Sequence, residues 1–142
     1  MNEYAYYRFV NTDPFRKLVT IKAWPTCDEY GPIGDPDLFV TNKFEGLVGV
    51  TKEDYVWKST NVGSDRIDIH PLDPNNRGSG TGTYTIGVYG YRDRNEFDLS
   101  LTFSDPDPIQ EIQPGCKAEF QLVADKYTYF CMKLTLLGFD TH

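Results

Sequence analysis

The chain has 142 residues, which is about the length of one domain, and its net charge of -7 gives a pI near 4.7. A phosphate backbone or an anionic membrane surface repels such a chain, so the charge excludes nucleic acid as an expected partner. The sequence contains no apolar run long enough for a membrane-spanning helix, and we expect no membrane insertion. Aromatic residues make up 15% of the chain, which favours strands over helices.

Short runs of alternating apolar and polar residues, separated by turn-forming clusters, follow one another along the chain. Residues two apart in a strand face the same side, so each run can turn one apolar set inward and leave a polar face in water. The inward sets are Val19, Ile21 and Ala23; Leu38 and Val40; Ile67 and Ile69; Tyr84, Ile86 and Val88; and Phe97, Leu99 and Leu101. Because no helical crossover separates the runs, we predict an all-β, antiparallel β-sandwich or jelly-roll-like module.

The two ends of the chain resemble each other. The segment Tyr-Ala-Tyr-Tyr at 4–7 is similar to Tyr-Thr-Tyr-Phe at 127–130, an offset of 123 residues. Self-similarity at a fixed offset is typical of tandem repeats. We therefore predict a first repeat over residues 1–103, a Pro-rich linker over 104–116, and strands within 117–142. Those last strands either open a next repeat or complete the same sandwich.

Five segments over the first hundred residues follow one another in a recognisable order. They are Tyr-Tyr-Arg-Phe at 6–9, Asp-Pro-Asp-Leu-Phe-Val at 35–40, Asp-Arg-Ile-Asp-Ile at 65–69, Gly-Thr-Tyr-Thr-Ile-Gly-Val-Tyr-Gly at 82–90 and Phe-Asp-Leu-Ser-Leu at 97–101. This order resembles the bacterial pre-peptidase C-terminal domain, a β-sandwich found beside secreted proteases and in other extracellular multidomain proteins. The resemblance implies an extracellular or cell-surface location. The chain departs from the family in lacking the usual Gly-containing first strand before the paired aromatics.

The sequence lacks the common motifs of catalysis. Hydrolytic triads need a nucleophile, a base and an orienting group within hydrogen-bond reach. The only histidines are His70 and His142, and no GxSxG, HExxH or GxxxxGK[ST] motif occurs. We therefore predict that the chain is not an enzyme.

Four carboxylates lie close together in the sequence ahead of and within one predicted strand. They are Asp28, Glu29, Asp35 and Asp37. Calcium prefers several oxygen ligands from flexible loops, and some members of the resembled family bind calcium. These residues are therefore the candidate Ca²⁺ ligands, and Ca²⁺ is the one cofactor that the sequence suggests. The alternative interpretation is a solvated acidic loop in which Asp37 caps a turn.

Four aromatic side chains are candidates for a ligand or partner surface: Trp24, Trp57, Tyr89 and Tyr91. Aromatic rings stack on sugars and anchor protein partners. Trp24 is out of phase with the inward set of its strand, so we expect it to face away from the core. For each of the four, the alternative interpretation is packing in the core or at its rim.

The three cysteines are Cys27, Cys116 and Cys131, which allow three different single disulfides and leave one thiol over. No CxxC pair indicates a zinc or redox motif. Cys27 and Cys116 both lie in Pro-containing loop segments, so their pairing is the preferred one of the three. Three free thiols are the alternative.

The sequence as a whole predicts a structural or adhesive repeat of an extracellular multidomain or fibrous protein. Its partners would be neighbouring repeats or copies of itself, bound through edge strands, because exposed strand edges are open to strand addition. Two alternatives stay open. One is a calcium-assisted module that binds carbohydrate or a matrix protein, and the other is an accessory domain of a secreted protease.

Overall fold

The fold is almost entirely β in the part of the chain that the structure describes. The computed structural model describes residues 3–43, 49–78, 82–115, 117, 119–122, 124 and 127–132. Within those residues no helix is long and apolar enough to cross a bilayer. The chain divides into two compact units, Met1–Pro106 and Asp107–His142.

The first unit is built from two antiparallel sheets and a short hairpin. Its strands are β1 (Tyr4–Val10), β2 (Leu18–Pro25), β3 (Cys27–Asp28), β4 (Gly31–Pro32), β5 (Pro36–Thr41), β6 (Trp57–Ser59), β7 (Asp65–Ile69), β8 (Thr83–Gly90) and β9 (Phe97–Ser104). The larger sheet has the order β1-β8-β5-β6, and the smaller sheet has the order β7-β2-β9. β3 and β4 form the hairpin.

The core of the first unit lies between the two sheets. Its fully buried side chains are Val19, Ile21, Ala23, Leu38, Val40, Ile67, Ile69, Tyr84, Ile86 and Val88. Burial of a large aliphatic side chain stabilises a fold by roughly 1.5–3 kcal/mol, so this set accounts for much of the driving force. These are the inward sets that the alternating pattern predicted, and the all-β antiparallel sandwich is confirmed. Phe97, Leu99 and Leu101 pack against the same core but stay partly exposed.

The outer face of the larger sheet differs from the wet polar face expected of a sandwich. Phe39 lies on that face, yet it is only 3% exposed. It packs in a second cluster with Val50 and Tyr89, and Tyr4 and Tyr55 flank the cluster. Two of these residues, Val50 and Tyr55, come from the segment between β5 and β6, which therefore covers part of the sheet.

Buried hydrogen bonds tie the turn after β7 to the core. The 3-10 turn at Pro74–Gly78 brings Asn76 against Tyr84, whose hydroxyl donates to Asn76 Oδ1 at 2.8 Å. Asn76 Nδ2 donates in turn to the backbone oxygen of His70 at 2.8 Å. A buried polar group costs stability unless it is hydrogen-bonded, so these contacts allow an asparagine to occupy the interior.

The second unit has two short strands among its described residues. β10 (Gln110–Glu111) and β11 (Phe130–Cys131) form a parallel pair. The described residues between 117 and 124 are not in strands, and residues 133–142 lie outside the described part of the chain. The assignment of 117–142 to a next repeat or to the same sandwich therefore stays a prediction.

Candidate functional site

Two long strands lie at the edges of their sheets. Among the described residues, β1 pairs only with β8, and β9 pairs only with β2. β1 has seven residues and β9 has eight. A long edge strand presents a row of unpaired backbone N–H and C=O groups to any strand that approaches it.

These two edge strands lie side by side along one flank of the sandwich. Phe9 of β1 meets Phe103 of β9 in an edge-to-face contact, with ring centroids 6.1 Å apart. Near the start of both strands, Ala5 and Phe97 line the same cleft. β1 and β9 therefore run in the same direction, and we call this flank the β1–β9 edge.

The inward side chains along the β1–β9 edge are incompletely covered. Side chains of the central strands in the same layer are buried, whereas those of the edge strands keep part of their surface in water. They are Ala5, Tyr7 and Phe9 on β1, and Phe97, Leu99, Leu101 and Phe103 on β9. A group that covers this exposed apolar surface removes it from water, which makes binding more favourable.

The outer face of β1 carries aromatic rings. Tyr4 and Tyr6 stack with centroids 5.6 Å apart and an angle of 8° between their planes. The ring of Tyr6 lies directly over Gly49, where an added Cβ would come within 2.5 Å of it. Tyr6 nevertheless stays 48% exposed, so β1 presents an aromatic side chain beside its free backbone edge.

A cleft of about 240 Å³ opens where the β1–β9 edge begins. Its lining includes three apolar residues, Ala5, Val88 and Phe97, which we call the floor, and two acidic residues, Glu3 and Asp93, which we call the rim. The lining residues are Glu3, Tyr4, Ala5, Val88, Gly90, Asp93, Asn95 and Phe97. The cleft combines an apolar floor with an acidic rim, and neither is visible in the sequence because three separate stretches, 3–5, 88–90 and 93–97, contribute to it.

The four predicted calcium ligands do not come together. Asp28 lies in the β3–β4 hairpin, where its Oδ1 accepts a 2.8 Å hydrogen bond from the backbone N–H of Tyr30, and Glu29 is exposed in the same turn. Asp35 and Asp37 are buried at the start of β5. Among the described residues, no three Asp, Glu, His or Cys side chains form a group that could hold a metal ion. The structure therefore shows no metal-holding group among these four residues, and the calcium site stays a prediction.

Asp35 and Asp37 instead face a third buried carboxylate, Asp65, which the sequence did not single out. Asp65 is 2% exposed, and its Oδ1 accepts hydrogen bonds from Ser59 Oγ at 3.0 Å and from the Asn61 backbone N–H at 2.8 Å. We call Asp35, Asp37 and Asp65 the carboxylate trio. The sequence does contain a signal that Asp65 is buried, since it shares the parity of the inward residues Ile67 and Ile69.

Burial raises the pKa of both Asp37 and Asp65 to about 6. For Asp37, the negative charges of Asp65 and then Asp35 add to the effect of burial. For Asp65, the hydrogen bonds from Asn61 and Ser59 oppose burial, and the charge of Asp35 adds to it. Desolvation and like charges both disfavour ionised carboxylates, so Asp37 and Asp65 destabilise the folded state once they lose their protons.

The four aromatic candidates have different surroundings. Trp24 is 38% exposed and Tyr91 is 64% exposed. Trp57 packs against the core, and its Nε1 donates a 2.9 Å hydrogen bond to Asp73 Oδ2. Tyr89 is 6% exposed within the cluster on the outer face of the larger sheet. Trp57 and Tyr89 thus have packing roles, while Trp24 and Tyr91 offer surface.

The cysteines give no crosslink among the described residues. Cys27 and Cys131 are exposed free cysteines. Cys116, which belongs to the preferred pair, lies outside the described part of the chain. The predicted pairing of Cys27 with Cys116 therefore stays a prediction.

No family model matches the chain, and no curated protein matches it. The resemblance to the pre-peptidase C-terminal domain accordingly stays a prediction that rests on the order of five sequence segments.

Proposed function

We propose that this chain is a non-catalytic structural module that associates with neighbouring repeats or with copies of itself through the β1–β9 edge. The observation that carries the proposal is the position of β1, a seven-residue edge strand paired on one side only among the described residues. A strand added there would pair the free backbone groups and cover apolar surface at Phe9 and its neighbours. Strand addition to an exposed sheet edge is a common mode of protein recognition.

The composition of β1 supports this use. Edge strands that avoid association carry several charged side chains, especially Lys, or Pro or a bulge. β1 reads Tyr-Ala-Tyr-Tyr-Arg-Phe-Val, in which Arg8 is the single charged residue and neither Lys nor Pro occurs, and its register with β8 is continuous from Tyr4 to Val10. Aromatic and β-branched residues favour a pleated, half-buried strand. β6, at the other edge of the sheet, has only three residues, so the sheet offers one long edge.

A tandem arrangement would bring suitable strands together. The segment at 127–130 repeats the Tyr-rich pattern of 4–7, so a chain of such repeats offers the same strand type at a regular interval. In this proposal the modules belong to an extracellular or cell-surface fibre or stalk. The predicted family resemblance supports that location.

Sedimentation velocity over a wide range of protein concentration tests the proposal. We expect reversible association that survives EDTA, because strand pairing needs no metal ion. Tyr7 has the inward parity of β1 but is 43% exposed, so Tyr7→Glu places a charge at the open edge, a device that discourages strand addition. This variant should be monomeric.

The matched control is Tyr30→Glu, because Tyr30 lies in the β3–β4 hairpin and is 90% exposed. It makes the same chemical change away from the β1–β9 edge and should associate like the parent chain. A parent chain that is monomeric at every concentration would overturn the proposal. Equal loss of association in both variants would also count against it.

A further inference from the structure

The geometry points to the cleft at the start of the β1–β9 edge as a binding site for a lysine or arginine side chain on the associating strand. This inference rests on the proposed function for the existence of that strand. It adds that this strand must carry a long, positively charged side chain at the position that faces the cleft. A long apolar stem that ends in a positive charge matches the apolar floor and acidic rim of the cleft.

The floor suits the stem of such a side chain. Ala5 and Val88 lie opposite each other in the β1–β8 register, and Phe97 faces them from β9. Because Ala5 is small, about 240 Å³ stays open above it, enough for one long side chain but not for a folded segment. Lys and Arg side chains bury their methylene stems along apolar surface while the charged end stays in water.

The rim supplies the complementary charge. Glu3 precedes β1, and Asp93 lies in the loop between β8 and β9. In the part of the chain that the structure describes, neither side chain forms an ion pair or a hydrogen bond. Arg94, the basic residue next to Asp93, already pairs with Glu96 at 2.8 Å. The two carboxylates therefore leave local negative charge that a cation would neutralise.

The rim is held in place before any partner arrives. Asn95 Oδ1 accepts hydrogen bonds from the backbone N–H groups of Asp35 at 3.1 Å and Arg92 at 3.3 Å, which anchors the loop that carries Asp93. The backbone oxygen of Glu3 accepts a 3.1 Å hydrogen bond from the Gly90 N–H. Groups that are already ordered lose little conformational freedom on binding.

The cleft lies where an added strand would pass. The Glu3 oxygen accepts from Gly90 and the Asn11 N–H donates to Gly82, so odd-numbered residues of β1 hydrogen-bond to β8. The backbone groups of the alternate residues, beginning with Tyr4, therefore point to the free edge. In a strand paired there, the residue opposite Ala5 would turn its side chain inward, into the cleft.

The experiment is an NMR titration of the ¹⁵N-labelled full chain with Nα-acetyl-lysine methylamide. We expect saturable shifts of the amide signals of Gly90, Asn95 and Phe97. The control ligand is Nα-acetyl-norleucine methylamide, which has the same stem without the ammonium group and should bind several-fold more weakly. An equal response to both ligands would overturn the inference, because the acidic rim would then have no role.

A double variant tests the rim directly. Glu3→Gln with Asp93→Asn should weaken lysine binding about fivefold, as expected for two exposed ion pairs. Glu53→Gln with Asp54→Asn makes the same charge change on the segment between β5 and β6 and should bind like the parent chain. Equal weakening in both double variants would contradict a local site. Sedimentation measures self-association without this ligand, so failure of one proposal is distinguishable from failure of the other.

Discussion

The Tyr84 hydroxyl donates a 2.8 Å hydrogen bond to Asn76 Oδ1, and both side chains are buried. The Tyr84 ring also stacks on Phe9 of β1, with centroids 4.8 Å apart and an angle of 4° between the planes. One core residue thus supports both the turn after β7 and the edge strand that we propose for association. The stability of the core and the presentation of β1 are therefore physically connected.

Tyr84→Phe should destabilise the chain by about 1–3 kcal/mol, because it leaves a buried carbonyl oxygen of Asn76 without its donor. The phenylalanine keeps the stacking on Phe9, so the change isolates the hydroxyl. Urea unfolding followed by circular dichroism measures the effect. Tyr91→Phe is the control, since Tyr91 is 64% exposed, and it should stay within about 0.5 kcal/mol of the parent. A Tyr84→Phe chain as stable as this control would show that the bond contributes nothing.

The raised pKa values of Asp37 and Asp65 predict that the free energy of unfolding falls as the pH rises from about 4 to about 6. The folded-state pKa values of Asp37 and Asp65 are about 6, against 3.8 for an ordinary aspartate, so the folded chain binds more protons than the unfolded chain in this window. Stability is lost as these protons leave and then levels off above pH about 6. Each group contributes on the order of 1–3 kcal/mol to the fall. Denaturant unfolding at a series of pH values measures it.

Asp37→Asn should flatten this pH dependence. The substitution removes the charge that faces Asp65, and among the described residues the Asp37 carboxylate has no hydrogen bond to lose. The variant should gain stability relative to the parent above pH about 6, where Asp37 and Asp65 of the parent are both ionised. Asp98→Asn, on the exposed face of β9, is the control and should keep the parent's slope. An unchanged slope in Asp37→Asn would refute the coupling between the three carboxylates.

Alanine substitutions at Gly34 and Gly63 distinguish the cost of backbone strain from the cost of a steric clash. Both have positive φ, at 93° and 90°, which L side chains rarely adopt, so alanine at either position costs about 1–3 kcal/mol. An added Cβ at Gly34 would also meet Asn95 Oδ1 at 2.4 Å, whereas nothing lies within 4 Å of the equivalent position at Gly63. Gly34→Ala should therefore be the more destabilising change in thermal unfolding. It should also weaken lysine binding, because Asn95 anchors the loop of Asp93. Equal effects of the two substitutions would contradict the close approach of Asn95.

A feature can be predicted from the sequence when residues close together in the chain determine it, and not when it depends on how distant strands pack. Alternation within one strand is a local property, so Val19, Ile21 and Ala23 were identified as core from their spacing alone. The carboxylate trio depends on how β5 and β7 are brought together, which the pattern of either strand does not determine. Closeness in sequence suggested instead a group that included Asp28, which the β3–β4 hairpin places in a separate turn. The β1–β9 edge could not be predicted from the sequence either, because strand order is a property of the whole sheet.

The two tryptophans give a spectroscopic test of where the structure places them. Trp57 packs against the core and donates to Asp73, whereas Trp24 is 38% exposed. The intrinsic fluorescence of Trp57→Phe reports Trp24 alone and should be red-shifted from the parent, because an excited indole in water emits at longer wavelength. The emission of Trp24→Phe, which reports Trp57 alone, should be blue-shifted from the parent. Trp57→Phe should also cost about 1–3 kcal/mol, since it leaves Asp73 Oδ2 without its donor, while Trp24→Phe should stay within about 0.5 kcal/mol. Spectral shifts in the opposite order would mean that Trp24, not Trp57, is the packed residue, and Trp24 would then be withdrawn as a surface candidate.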